Sequence, residues 1–255
     1  MARRIVLHIA ICLIFICSGS IYGQSKDTVR VLFVGNSYTY FWNLSQTVEA
    51  LSQLNGIPLI ARNSTAGGAS LKDHWMGRKM LRSREIIQNN EWDIVVLQNH
   101  SRSTIDSLAD FYEYGDLFIE LVKSTGATPI LYETWARAYN PLMQKQITTA
   151  YDQLALKHKI EKVPVGTLWQ KARILKPDLP LFDPDGSHPS PLGTYLTACT
   201  FYCWLNDQEP AGLPERVTKR DQNGEILYLN IQGINQARFI HDVISDYLTE
   251  TVNDD

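Results

Sequence analysis

Val31-Leu32-Phe33-Val34-Gly35-Asn36-Ser37-Tyr38-Thr39 is an apolar run that stops at a glycine, with a serine two positions on. An apolar run without polar alternation fits a strand buried on both faces, as in a parallel sheet covered by helices. A strand that halts at Gly-Asn-Ser has two readings. It makes an ordinary turn, for which those residues are well suited, or it presents a hydroxyl at the carboxyl end of a sheet. The rest of the chain decides between them.

Working outward, strand-like and helix-like segments alternate. Residues 29–34 read as a first strand and 44–54 as a helix, followed by a strand at 57–61 and a helix at 78–89. A third strand is expected at 93–98, a helix at 106–124, a fourth strand at 128–133, a helix at 141–159 and a short fifth strand at 163–165. Apolar strands separated by helices imply an α/β fold of three layers, a doubly wound, mostly parallel five-stranded sheet. Beyond it, 191–205 reads as a buried helix. Gln222-Asn223-Gly224 is a good turn for a hairpin within 216–231, and 233–249 reads as a closing amphipathic helix. No linker marks a second domain, so residues 24–255 are expected to form one domain.

The first 23 residues stand apart. Met-Ala-Arg-Arg is followed by an almost wholly apolar Ile5–Ile16 and then small residues before Gln24. This is the pattern of a secretory signal peptide cut after Gly23, and the apolar run is short for a membrane span of ~20 residues. The expectation is export, to a periplasm or beyond the cell, with no stable membrane association after cleavage. Loss of Arg3 and Arg4 moves the net charge from −3 to about −5. With no cluster of Lys or Arg, a nucleic-acid partner is not expected.

Ligands of open α/β sheets sit beyond the carboxyl ends of the strands, so those ends are where chemistry is sought. They carry Gly35-Asn36-Ser37, then Ala66-Gly67-Gly68-Ala69, then Gln98-Asn99-His100-Ser101, then Thr134-Trp135, and finally Asp183-Pro184-Asp185-Gly186-Ser187-His188. A serine hydroxyl needs a base to take its proton, and the base needs a partner to orient it. Asp185 and His188, three residues apart, can put a carboxylate on one ring nitrogen while the other faces Ser37. Asp183 competes for that orienting role. The backbone N–H groups of Ser37 and Gly68, with a side-chain amide from Gln98 or Asn99, could receive an oxyanion.

Gly-Asn-Ser, a loop glycine, an amide after the third strand and Asp-x-x-His together resemble the SGNH (GDSL-type) hydrolases over residues 29 to about 200. The resemblance implies a flavodoxin-like fold, esterase or lipase activity, Ser37 as nucleophile, His188 as base, Asp185 as its orienter and Gly68 as an oxyanion donor. This sequence departs from the family at the third block, where Gly-x-Asn is replaced by Gln98-Asn99-His100-Ser101. That block is more similar to the Gln-Gly-Glu-Ser variant of sialate and carbohydrate acetylesterases. The likeness favours Gln98 as third oxyanion donor, with Asn99 second; together with export and the tryptophans it makes an acetyl ester of a carbohydrate the expected substrate, with a lipase or lysophospholipase, an acyltransferase on the same triad, or a non-catalytic carbohydrate-binding protein on the same fold as alternatives.

Other residues are weaker candidates. His74 is near enough to the glycine loop to touch a substrate, although a hydrogen-bonded structural histidine is the commoner case, and the same holds for His100. Trp135 ends a strand at the active face and could stack on a sugar, although core packing is the better prior for any one tryptophan. Cys199 and Cys203, at i and i+4, read as small buried residues. The sequence carries no Gly-x-Ser-x-Gly elbow, dinucleotide fingerprint or Walker lysine, and no cofactor or metal is expected.

Overall fold

The structure is a computed structural model that describes residues 28–253. The expected signal peptide at 1–23 lies outside the described residues. In chain order the first elements are β1 (Val29–Gly35), α1 (Ser37–Tyr40), α2 (Leu44–Leu54), β2 (Leu59–Thr65), α3 (Leu71–Trp75) and α4 (Ser83–Asn89). There follow β3 (Ile94–Leu97), α5 (Ser103–Asp106), α6 (Leu108–Ser124), β4 (Thr128–Tyr132), α7 (Met143–His158), β5 (Lys162–Val163) and α8 (Val165–Leu175). The chain ends with α9 (Pro191–Asn206), the hairpin β6 (Arg216–Arg220) and β7 (Ile226–Ile231), and α10 (Ile234–Asn253).

Strands β1 to β5 form one all-parallel sheet in the order β2-β1-β3-β4-β5, the flavodoxin-like arrangement. Its first strand explains the apolar run. Val31 and Phe33 face one helical layer, with α2, α8, α9 and α10, while Leu32 and Val34 face the other, with α6 and α7. Successive side chains of a strand point to opposite faces, so a strand covered on both sides has no polar position to spare. All four residues are fully buried.

Several boundaries shift from expectation. Strand β2 begins two residues later and runs through Arg62, Asn63 and Ser64 to Thr65, in parallel register with β1. Its polar positions lie on a sheet edge, where apolar patterning weakens. The helix expected over 78–89 starts only at Ser83. Residues 78–80 instead make a tight turn in which Lys79 and Met80 both adopt left-handed backbone, with φ of 54° and 59°. The helices α3 and α8 had no counterpart in the reading of the sequence. Among the described residues no helix is long and apolar enough to cross a membrane.

Candidate active site

The turn after β1 is built by its neighbours. A Cβ at Gly35 would overlap both the Gln98 amide oxygen and the Thr39 hydroxyl, so only glycine lets the strand end approach β3 this closely. Asn36 caps the short helix α1. Its side-chain oxygen accepts from the Tyr38 N–H at 3.0 Å, and its Nδ2 donates to Ala69 O at 2.9 Å. Asn36 thereby ties the turn to the Gly67-Gly68 loop. Ser37, the first residue of α1, is buried but retains 7% exposure, enough to be reached from outside.

The loop 183–188 closes as a miniature hairpin. Asp183 N–H donates to His188 O at 2.9 Å, Gly186 N–H donates to Asp183 O at 2.9 Å, and Gly186 takes a φ of +66°. Within it the Asp185 Oδ1 accepts from the backbone N–H of Ser187 and of His188, both at 2.9 Å. The other oxygen lies 2.5 Å from His188 Nδ1, and His188 Nε2 lies 2.9 Å from Ser37 Oγ. Burial opposes the charged form of Asp185, but the His188 ring and the two backbone donors more than offset it and hold this carboxyl below the ordinary range. Asp183 makes no such contact, and burial together with the nearby Asp185 charge pushes it upward. The carboxylate placed on His188 is therefore that of Asp185.

The loop is positioned from below by a stack of rings. Tyr38 lies flat on Trp135 with centroids 4.3 Å apart, and Trp135 lies flat on Trp169 at 3.9 Å. Tyr38 Oη is 2.8 Å from Ser187 Oγ, and Trp135 Nε1 donates to Ser187 O at 3.0 Å. Trp42 Nε1 donates to Pro189 O at 2.9 Å, and Phe41 stacks on the His188 ring at 4.4 Å. Trp135 is therefore corrected from a sugar platform to a buried support, because both its faces are occupied.

His74 is corrected likewise. It is buried, with Nε2 at 2.8 Å from Gly35 O and Nδ1 at 2.6 Å from Ser83 Oγ, so it pins the end of β1 and faces no solvent. Burial lowers its pKa to about 4 and keeps it neutral, with the Nε2 proton donated to the carbonyl. His100 is partly buried, and its Nδ1 accepts from Arg102 N–H at 3.3 Å.

The amides of the third block divide the work differently from expectation. Gln98 is fully buried. Its oxygen accepts from Asn36 N–H at 2.8 Å and Thr39 Oγ1 at 3.0 Å, and its Nε2 donates to Asn99 O. It braces the serine turn and offers nothing to an incoming oxyanion. The Asn99 oxygen is equally committed, accepting from Leu71 N–H, His100 N–H and Ser103 Oγ at 2.8–3.0 Å. Its Nδ2, however, has no acceptor among the described residues. The backbone N–H groups of Ser37 and Gly68 are likewise without one. Gly68 is exposed, in left-handed backbone with φ +62°. Three donors on three neighbouring strand ends are thus left without an acceptor among the described residues.

Comparison with solved structures identifies the fold. A protein from Slackia heliotrinireducens put forward as an SGNH hydrolase is 25% identical, with a TM-score of 0.60 over 69% of this chain and 98% of its own. The chain has the SGNH-hydrolase fold. A DUF4886 family protein from Bacteroides uniformis superposes over more of it, 88% of this chain and 95% of the other, at TM-score 0.68 and 19% identity. A lipase/acylhydrolase from Enterococcus faecalis matches at TM-score 0.58 and 15% identity, over 71% and 96% of the two chains. No protein-family sequence profile matches the chain, and no curated protein matches it. The SGNH fold brings to one sheet edge the five segments singled out in the sequence. Asn36, Tyr38 and Ser187, which hold the Ser37 turn and the His188 loop in place, had no signal beyond a cap-forming asparagine before a short helix. Among the described residues no group of three His, Cys, Asp or Glu side chains could hold a metal. Cys199 and Cys203 are free and buried.

Proposed function

We propose that the chain is an exported serine esterase that hydrolyses small acyl esters, acetyl above all, on carbohydrates. The observation that carries the reading is the Asp185–His188–Ser37 hydrogen-bond series, with Ser37 Oγ at 2.9 Å from His188 Nε2. In this mechanism His188 takes the Ser37 proton as Oγ attacks the ester carbonyl, and Asp185 holds the ring and stabilises its charge. Ser37 N–H, Gly68 N–H and Asn99 Nδ2 receive the oxyanion. His188 then protonates the leaving alcohol, the acyl group stays on Ser37, and water activated by His188 releases it.

One feature supports a carbohydrate as the alcohol part. Tyr40 and Trp42, on either side of the Phe41 ring that stacks on His188, are 39% and 44% exposed, and flat exposed rings suit sugar faces. Export rests on the leader read at residues 1–23. The SGNH neighbours, among them an esterase from Pseudoalteromonas sp. solved with monoethylphosphonate, are consistent with ester chemistry.

The test is hydrolysis of p-nitrophenyl acetate and butyrate by the protein and by Ser37→Ala and His188→Ala. Turnover that favours acetate and falls roughly a thousandfold or more in both variants is expected, because these residues act as a unit. Equal rates in all three proteins would sink the serine mechanism, and a preference for long chains would point to a lipase.

A further inference from the structure

Two cations, Arg137 next to the segment that meets the 183–188 loop (Ala138 N–H donates to Gly186 O at 2.8 Å) and Lys79 at the glycine loop, have no carboxylate partner among the described residues. Arg62, Arg78, Arg82 and Arg102 each pair with an acidic side chain. Arg137 does not. Its guanidinium touches only hydroxyls, Ser101 Oγ at 3.3 Å and Tyr139 Oη at 3.4 Å, and its Nε is buried with no hydrogen-bond partner. A partly desolvated cation with unfilled donors is costly until an anion reaches it. The place is telling. Ser101 also lies within reach of the Tyr38 hydroxyl, and that hydroxyl is 2.8 Å from Ser187, the neighbour of His188. On the far side Lys79 Nζ donates to Gly67 O, beside the oxyanion glycine, and it too has no carboxylate partner among the described residues. Each cation acts electrostatically on His100.

We propose that Arg137 is a specificity-determining residue that receives a carboxylate on the alcohol part of the substrate. The preferred substrates are then acyl esters of acidic alcohols, such as a uronic-acid unit. The guanidinium edge formed by Nη1 and Nη2 keeps donors free after the two hydroxyl contacts, and its planar fork matches a carboxylate. Lys79 adds long-range attraction from the other rim. This assignment rests on the esterase reading above.

The experiment compares kcat/KM for 4-acetoxybenzoate and phenyl acetate in wild type and Arg137→Gln. The difference in leaving group cancels in the ratio of ratios. A fall of about tenfold or more in the anionic preference, carried by KM, is expected; an unchanged preference overturns the proposal. A matching loss for 4-sulfophenyl acetate would overturn the carboxylate in favour of any anionic oxygen group. Calorimetric binding of 4-hydroxybenzoate and its methyl ester to Ser37→Ala, with and without Arg137→Gln, reads the same contact without turnover. Failure of the ester chemistry is thereby kept distinct from failure of the subsite. Should Arg137→Gln not fold, Arg137→Lys replaces it, expected to retain charge attraction but lose the fork and fall between the two.

Discussion

The serine turn and the histidine loop are built in opposite ways. Around Ser37 every support is buried: Gln98 under Asn36 and Thr39, and His74 under Gly35. Around His188 the loop is partly open, with the Asp185 side chain 49% exposed, and it is held by its own backbone turn and by rings packed beneath Ser187. Ser37, the proposed nucleophile, is thus part of the folding core, whereas the Asp185–His188 pair proposed as its base and orienter rides on the surface. Substitutions of the supports of the first region, Ser37 itself aside, should be read mainly in stability, and those in the second mainly in rate.

The sharpest break in that comparison is Asp185→Asn. It preserves the acceptor for the two backbone N–H groups but puts an amide donor against His188 Nδ1, forcing the wrong tautomer. A rate loss on the order of 10³ is expected with little change in Tm. A melting point lowered by many degrees would show that the loop is structural after all.

The two adjacent amides test the boundary between the regions. Asn99→Asp keeps the side-chain acceptor and loses the donor, so kcat should fall about 10²-fold while folding survives. Gln98→Met leaves Asn36 N–H, the Thr39 hydroxyl and Asn99 O without partners, and should cost roughly 2–3 kcal/mol in denaturant unfolding. If Asn99→Asp is as active as wild type, the third donor lies elsewhere.

His74 gives the buried region a pH signature. Its folded pKa, about 4, lies below the ordinary value of 6.5, so the unfolded chain binds more protons between the two. Stability from a neutral His74 is therefore full above pH 6.5 and is lost as pH falls toward 4, up to ~3 kcal/mol. Urea melts across that window should show the slope, and His74→Gln should flatten it. A smaller effect comes from the strained turn beside the glycine loop. Met80 is 94% exposed at φ 59°, so Met80→Gly removes backbone strain without losing packing. A gain of up to ~1 kcal/mol in chemical denaturation is expected.

Patterning along the chain sufficed for the layers and the sheet, because strands covered on both faces must be apolar at every position. It failed at β2, whose edge position tolerates Arg62 and Asn63, and at 78–82, where left-handed non-glycine residues break a helical pattern. The segments of the site were legible for the same reason that made them chemical. Gly-Asn-Ser, Gly67-Gly68 and Asp185-x-x-His188 are local, and strand order alone brings them to one edge. Roles that depend on which way a side chain turns were not legible. Gln98 and Asn99 are neighbours of the same chemical type, yet Gln98 faces the serine turn and Asn99 faces α3 and α5.

What the amino-acid sequence determined by itself is the five-strand α/β frame and the candidate residues at the carboxyl ends of its strands, since periodicity and spacing are properties of the chain. Only the tertiary structure decided that His74 and Trp135 are supports, that Gln98 is a brace and that Arg137 lies on Ser101 with no carboxylate partner among the described residues. Burial and partner choice are set by packing between segments far apart in sequence, and no local pattern encodes them.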